Sequence, residues 1–188
     1  EYLMSEEGGA CKKFYLLGTD YVFPRTANKV LKAFLMAKGI PEASIAEEYT
    51  PFGHKDYQTI VGNIKAFAAG GKACVLSTIN GDSNVPFYKE FANQGLTSAE
   101  CPVMAFSVAE DELRAMDVPP LVGHLAAWNY FESVKSPVNV NPFTVTDCVA
   151  SLITMSGKVI SWVPSHSPCG SLVMSNLIFI FGNSNVAC

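Results

Sequence analysis

A doubly wound α/β fold, with a parallel sheet and helices on both faces, is predicted for the first 141 residues by three observations. Short apolar runs of strand length alternate with segments whose apolar residues recur at helical spacing. Glycines close the helical segments, and polar turn residues stand where each strand hands over to a helix. Strands that alternate with helices of this length pair in parallel, because the crossover helix must pack back onto the sheet.

The first unit begins with "CKKFYLLG", an apolar run ended by Gly18. Pro24 then stands in a first helical turn, where a missing N–H costs nothing, and Val30, Leu31, Phe34 and Leu35 recur at helical spacing until Gly39. "ASIAEEYTPFG" reads as the second strand, and "HKDYQTIVGNIKAFAAGG" as a helix with Ile60, Val61, Ile64 and Phe67 on one face, closed by Gly70-Gly71. "KACVLSTINGD" reads as a buried third strand. Asn80-Gly81 is also the strongest short hairpin signal, but the period that follows is helical, so the pair predicts a strand-to-helix loop. Asp82 or Ser83 is then the cap of the helix over "SNVPFYKEFANQGL", with Pro86 in its first turn. "CPVMAFS" and the short helix "VAEDELRAM" follow, and "LVGHLAAWNYF" is the last strand.

Composition breaks near Asn141. Beyond it the last 47 residues hold only Asp147 and Lys158 as charges, with eight Ser and three Cys. No helical face or alternating strand pattern emerges there, although "SLVMSNLIFIFG" has the character of one buried strand. The expected organisation is a ligand-binding lobe over 1–141 and a tail over 142–188 outside the αβ pattern.

Apolar residues make up 49% and charged residues 16% of the 188, with net charge -4. This balance argues against a disordered chain and against a nucleic-acid partner, and favours a small-molecule one. No run approaches the roughly 18 apolar residues of a membrane span, and "EYLMSEEGGACKK" lacks the basic-then-apolar order of a signal peptide. The six cysteines include no C-x-x-C pair, so free, mostly buried thiols are expected rather than a zinc or redox site. No cofactor is expected either, since neither G-x-G-x-x-G nor a P-loop is present.

In an open parallel sheet, ligands bind at the carboxyl ends of the strands, where loops converge on helix starts. That rule selects "TDYVF" (Thr19 to Phe23), "NGDSN" (Asn80 to Asn84) and "SVAED" (Ser107 to Asp111). Each carries a carboxylate: Asp20, Asp82, and Glu110 or Asp111. Acids in first turns also serve helix dipoles whatever the function. Together they make an acceptor-rich rim, which suits a neutral or cationic ligand rich in N–H donors and disfavours phosphate. Tyr21 and Phe23, two apart in an extended loop, are either one wall of a polar pocket or an apolar anchor for the helix start. Trp128 and Tyr130 are either a second wall or a cover for the sheet. The catalytic alternatives are weaker. His166 stands three residues before Cys169 in the charge-poor tail, His54 precedes a helix, His124 has the setting of a satisfied core histidine, and no G-x-S-x-G elbow follows a strand.

The strings "KKFYLLGTDYVFPRTANKVLKA", "EEYTPFGHKDYQTIVGNIKAF", "STINGDSNVPFYKE" and "LVGHLAAWNYF" resemble the substrate-binding proteins of urea and short-chain amide ABC transporters. These are of the branched-chain amino-acid type of periplasmic binding protein, the type I fold. The resemblance implies one αβ lobe, the second, of a two-lobed protein that closes on urea or a short-chain amide. It implies delivery to an ABC transporter permease, an extracytoplasmic place, and no catalytic activity. Carried over by position, Tyr21 and Phe23 match the aromatic pair facing amide ligands, Asn80, Gly81 and Asp82 match the loop across the cleft, and Ser107 and Glu110 match a third loop. Asp20 is expected to cap the helix or rim the cleft. Phe23 lacks a hydroxyl that amide binders of this kind carry, which leaves urea and a larger amide both open.

In that family a first lobe and a signal peptide precede the matching segment, and charged amphipathic helices follow "ESVKSPVNVN". Here "PFTVTDCVASLITMSGKVISWVPSHSPCG" follows instead, as a shifted reading frame or a spliced-on sequence would produce. A single lobe is expected to leave its ligand half solvated and weakly held. An amide-responsive sensory domain is the alternative the same fold allows.

Overall fold

The computed structural model describes residues 1–128, Phe131, Ser133 and the backbone of Phe179–Ile180. Five strands run parallel: β1 (Lys13–Thr19), β2 (Ile45–Thr50), β3 (Ala73–Thr78), β4 (Val103–Ala105) and β5 (Leu125–Ala126). A two-residue β6 (Phe179–Ile180) pairs antiparallel with β5, giving the order β2-β1-β3-β4-β5-β6. The helices are α1 (Val22–Ala37), α2 (Gln58–Ala68), α3 (Asn84–Asn93) and the four-residue α4 (Glu110–Leu113). The α/β class and the helix-on-both-faces arrangement expected from the sequence are those observed.

Side chains alternate across the sheet, so each face has its own core. On one face Tyr15, Leu17, Val75 and Val103 pack with Ile60, Val61 and Ile64 of α2 and with Phe87, Tyr88 and Phe91 of α3. On the other, Phe14, Leu16, Cys74, Leu76 and Met104 pack with Leu35 of α1. Cys11, Cys74 and Cys101 are free and buried, as expected of structural thiols.

The end of α1 follows its sequence signal. Gly39 takes φ +85°, its N–H donates to the Met36 carbonyl at 3.0 Å, and the Ile40 N–H donates to the Leu35 carbonyl at 3.0 Å. This paired closure satisfies two orphan carbonyls and buries Ile40. Gly95 and Leu96 close α3 in the same way, onto Ala92 and Phe91.

The face of α1 differs from the sequence reading. Pro24, Asn28 and Leu35 are buried, whereas Val30 is 63% and Phe34 38% exposed. The phase of the helix is set at its start, where Gly18 of β1 has no side chain and α1 comes close. A Cβ there would lie 2.8 Å from Pro24 Cβ, 2.4 Å from Thr78 Oγ1 and 3.4 Å from Asn28 Nδ2. Asn28 turns inward and accepts from the Thr78 hydroxyl at 3.4 Å. Gly18→Ala is therefore expected to destabilise the chain by about 3 kcal/mol, the upper end for an overpacked site. An unchanged thermal midpoint would show that Thr78 swings aside.

Three further expectations are corrected. Neither Asp82 nor Ser83 caps α3 through its side chain, because a 3-10 turn over Gly81–Ser83 runs straight into the helix. The last strand shrinks to Leu125–Ala126, since the 3-10 turn Pro119–Leu121 takes up its start. His124 accordingly precedes the strand rather than lying in it. Tyr130, the boundary at Asn141, His166, Cys169 and, apart from Phe179–Ile180, the tail lie outside the described residues.

Candidate functional site

Every loop singled out from the sequence lies at the carboxyl edge of the sheet, because all five parallel strands end there. Parallel register brings them together. The Asp20 N–H donates to the Thr50 carbonyl at 2.7 Å, tying the β1 loop to β2, and the Asn80 N–H donates to Thr19 Oγ1 at 3.1 Å, tying the β3 loop to β1. Asn84 fixes the β3 loop itself by donating from Nδ2 to the Ile79 and Gly81 carbonyls, each at 3.1 Å. Gly81 takes φ +60°, which a side chain would strain.

A pocket of about 260 Å³ opens on this edge. Asn80 and Gly81 line it from the β3 loop, Ser107 and Ala109 from the segment after β4, Asp111 and Glu112 from α4, and Trp128 from beyond β5. The Asn80 amide donates to the Thr78 carbonyl at 3.0 Å, which orients the side chain. Ser107 is 8% exposed, and its hydroxyl has no hydrogen-bond partner among the described residues. Glu112 accepts from the Ala109 N–H at 2.9 Å, while Asp111 pairs with Arg114 at 2.7 Å. The lining thus offers a hydroxyl, the Asn80 amide, the Trp128 indole and two carboxylates, with no cationic side chain. Acceptors dominate it, so it suits a ligand that presents N–H groups.

The remaining residues singled out flank this pocket. Asp82 is exposed in the 3-10 turn beside Gly81. Glu110 accepts from the Ser133 N–H at 3.0 Å and hydroxyl at 2.8 Å, so its carboxylate is engaged. Asp20 caps no helix. Arg25 donates to it from Nε at 2.5 Å and Nη2 at 3.0 Å, holding its carboxyl below the usual range, and stacks over Tyr49 at 4.4 Å.

Tyr21, immediately before α1, and Phe23, in its first turn, lie side by side with ring centroids 6.2 Å apart, so Phe23 is helical rather than part of an extended loop, and neither ring lines the pocket. A third ring joins them. Phe52, 65% exposed after β2, stands 4.9 Å from Tyr21 at an interplanar angle of 39°. Sequence reasoning missed it because the second strand was read through Gly53, whereas β2 ends at Thr50; the signal present was an aromatic between Pro51 and Gly53. Glu112 was missed because the third loop was taken to end at Asp111, one residue short of it. Trp128 does reach the pocket, 40% exposed.

The sequence profile described as periplasmic binding protein domain matches residues 1–147. No curated protein matches the chain by sequence. Among solved structures, it resembles an amino acid ABC transporter substrate-binding protein from Pseudomonas fluorescens Pf-5, at 18% identity and TM-score 0.60, over 70% of this chain and 34% of that one. A solute-binding protein of an ABC transporter from R. palustris in complex with 4-hydroxybenzoate is similar at 23% identity and TM-score 0.56, over 68% and 34%. A leucine-, isoleucine-, valine-, threonine-, and alanine-binding protein from Brucella ovis is similar at 13% identity and TM-score 0.59, over 74% and 34%. The chain spans about a third of the length of these proteins, and at such identities the likeness is one of fold.

Proposed function

The chain belongs to the family of periplasmic binding protein domains, and from that premise we propose that it is one lobe of the substrate-binding component of an ABC transporter, taking urea or a short-chain amide. The lobe covers residues 1–141, works outside the cytoplasm, catalyses no reaction and delivers its ligand to a membrane permease. Among the described residues no helix is long and apolar enough to cross a membrane.

The observation that carries the ligand class is the buried Ser107 hydroxyl without a partner, beside Asn80, Asp111 and Glu112. An amide satisfies these groups with two N–H donors and one carbonyl, and needs no counter-charge. Asp20, Tyr21, Phe23, Asn80, Gly81, Asp82, Ser107 and Glu110 form the proposed contact set. Within it Asn80, Gly81 and Ser107 touch the polar groups, while Tyr21 and Phe23, extended by Phe52, wall the open side.

Enclosure from one side gives weak binding, so the suitable measurement is a chemical-shift titration of the full chain with urea, acetamide, leucine and benzoate. Saturable shifts at Gly81, Ser107 and the Trp128 indole with urea or acetamide are expected. Asn80→Ala is expected to weaken that binding about tenfold, or about 1.4 kcal/mol. Shifts there with leucine or benzoate alone would replace the amide reading with one of those ligands.

A further inference from the structure

Five of the eight large apolar side chains exposed among the described residues stand on one helix: Val22, Phe23, Val30, Phe34 and Met36 of α1. Single exposed apolar residues are ordinary, but their concentration on one element marks an interaction surface. The docking that turns Pro24, Asn28 and Leu35 inward leaves this face outward. Its centre is a stripe at helical spacing made of Phe23, Ala27, Val30, Ala33, Phe34 and Ala37, in which Ala33 and Ala37 are exposed and Ala27 is half-buried.

We propose that this stripe is the interface of a symmetric dimer, in which α1 packs antiparallel against α1 of a second copy across a two-fold axis at Val30. The pattern is self-complementary about that residue. Positions equally far from it along the helix stand opposite one another, so Phe23 meets Ala37 of the second copy, Phe34 meets Thr26, and Ala27 meets Ala33. Each ring is set against a short side chain, as interdigitation across an isologous contact requires. Antiparallel order also places the amino end of each helix dipole beside the carboxyl end of the other.

Charge selects a second copy over other occupants. Arg25, Lys32 and Lys38 already pair with Asp20, Glu42 and Glu1, which leaves Lys29 as the one basic side chain of α1 and its cap without an ion pair among the described residues. A face so nearly neutral offers little to an acidic partner, and a chain of net charge -4 is repelled by an anionic lipid surface. Lys29 precedes Val30 by one residue and so projects about 100° away around the helix, on the flank of the stripe, where pairing does not bury it. The inference shares only Phe23 with the proposed amide contacts and does not rest on that reading.

Sedimentation velocity of the full chain, from micromolar to millimolar concentration, is expected to show a monomer-to-dimer equilibrium. Val30→Glu, which sets two carboxylates face to face on the axis, is expected to weaken it at least about tenfold. Ala33→Arg, which fills the space opposite Ala27, is expected to do the same. Both positions are exposed in the single chain, so both variants are expected to keep the native thermal midpoint at low concentration. Val118→Glu, at an exposed apolar residue outside α1, is expected to leave the equilibrium unchanged. A native chain that stays monomeric at every concentration would overturn the proposal, as would a dimer that survives both α1 variants or one that Val118→Glu disrupts equally. Titration of the Val30→Glu chain with urea or acetamide reads the pocket separately, so a failure of the dimer is distinguished from a failure of the amide reading.

Discussion

Phe87→Ala is expected to lower the stability of the folded chain by about 3–5 kcal/mol, the range for truncating a fully buried phenylalanine. Phe87 is 0% exposed and sits at the centre of an aromatic group, with ring centroids 5.4 Å from Tyr57, 5.1 Å from Tyr88 and 5.7 Å from Phe91. Three of its neighbours are rings held at steep angles, and such rings do not flow into a void. The contact joins the amino ends of α2 and α3, so the loops carrying Phe52 and Gly81 are expected to loosen together. Urea denaturation checks the prediction: the midpoint should fall while the slope stays constant. A loss under about 1 kcal/mol would show that the site collapses on itself, as cavities sometimes do.

His124 is expected to make the chain acid-sensitive in a window set by one buried imidazole. It is 1% exposed, its Nδ1 accepts from the Val103 N–H at 3.0 Å, and its ring packs against Phe91 and Tyr88 at 5.5 and 5.7 Å. Burial disfavours the cation and lowers its pKa from 6.5 to about 4. The unfolded chain thus gains a proton that the folded chain refuses. Stability is unaffected above pH 6.5, falls between 6.5 and about 4, and levels off below. The loss amounts to about 3 kcal/mol across that window. His124→Asn, whose Oδ1 takes up the acceptor position of Nδ1, should flatten this part of the profile. Exposed pairs such as Asp20–Arg25 act in the same direction at lower pH and remain in the variant. A native profile already flat from pH 7 to 5 would mean that the imidazole is charged in the fold.

The sequence determined the α/β class and nearly every element, because the signals are short in range. A period of 3.6 or 2, a proline in a first turn, or a glycine after a last one acts through neighbours a few residues away. Gly39 and Gly95 closed their helices for that reason, and the Asn80-Gly81 loop led into a helix because Val85, Phe87, Tyr88 and Phe91 repeat at helical spacing. Parallel order then followed from alternation alone, and with it the edge where the loops of Tyr21, Asn80 and Ser107 gather.

Tertiary structure decided which side chains meet. Asn28 rather than Val30 faces the sheet, because α1 docks on the bare Cα of Gly18, a contact with Thr78 sixty residues downstream. Asp20 pairs with Arg25 instead of capping α1, and Glu110 meets Ser133 instead of facing the pocket freely. Phe52 joins Tyr21 only because β1 and β2 share a register, and Ser107 meets Asn80 only because β3 and β4 do. Local patterning fixes the direction in which a segment projects its side chains. What stands opposite is set by chain closure over tens of residues, which no window of the sequence contains.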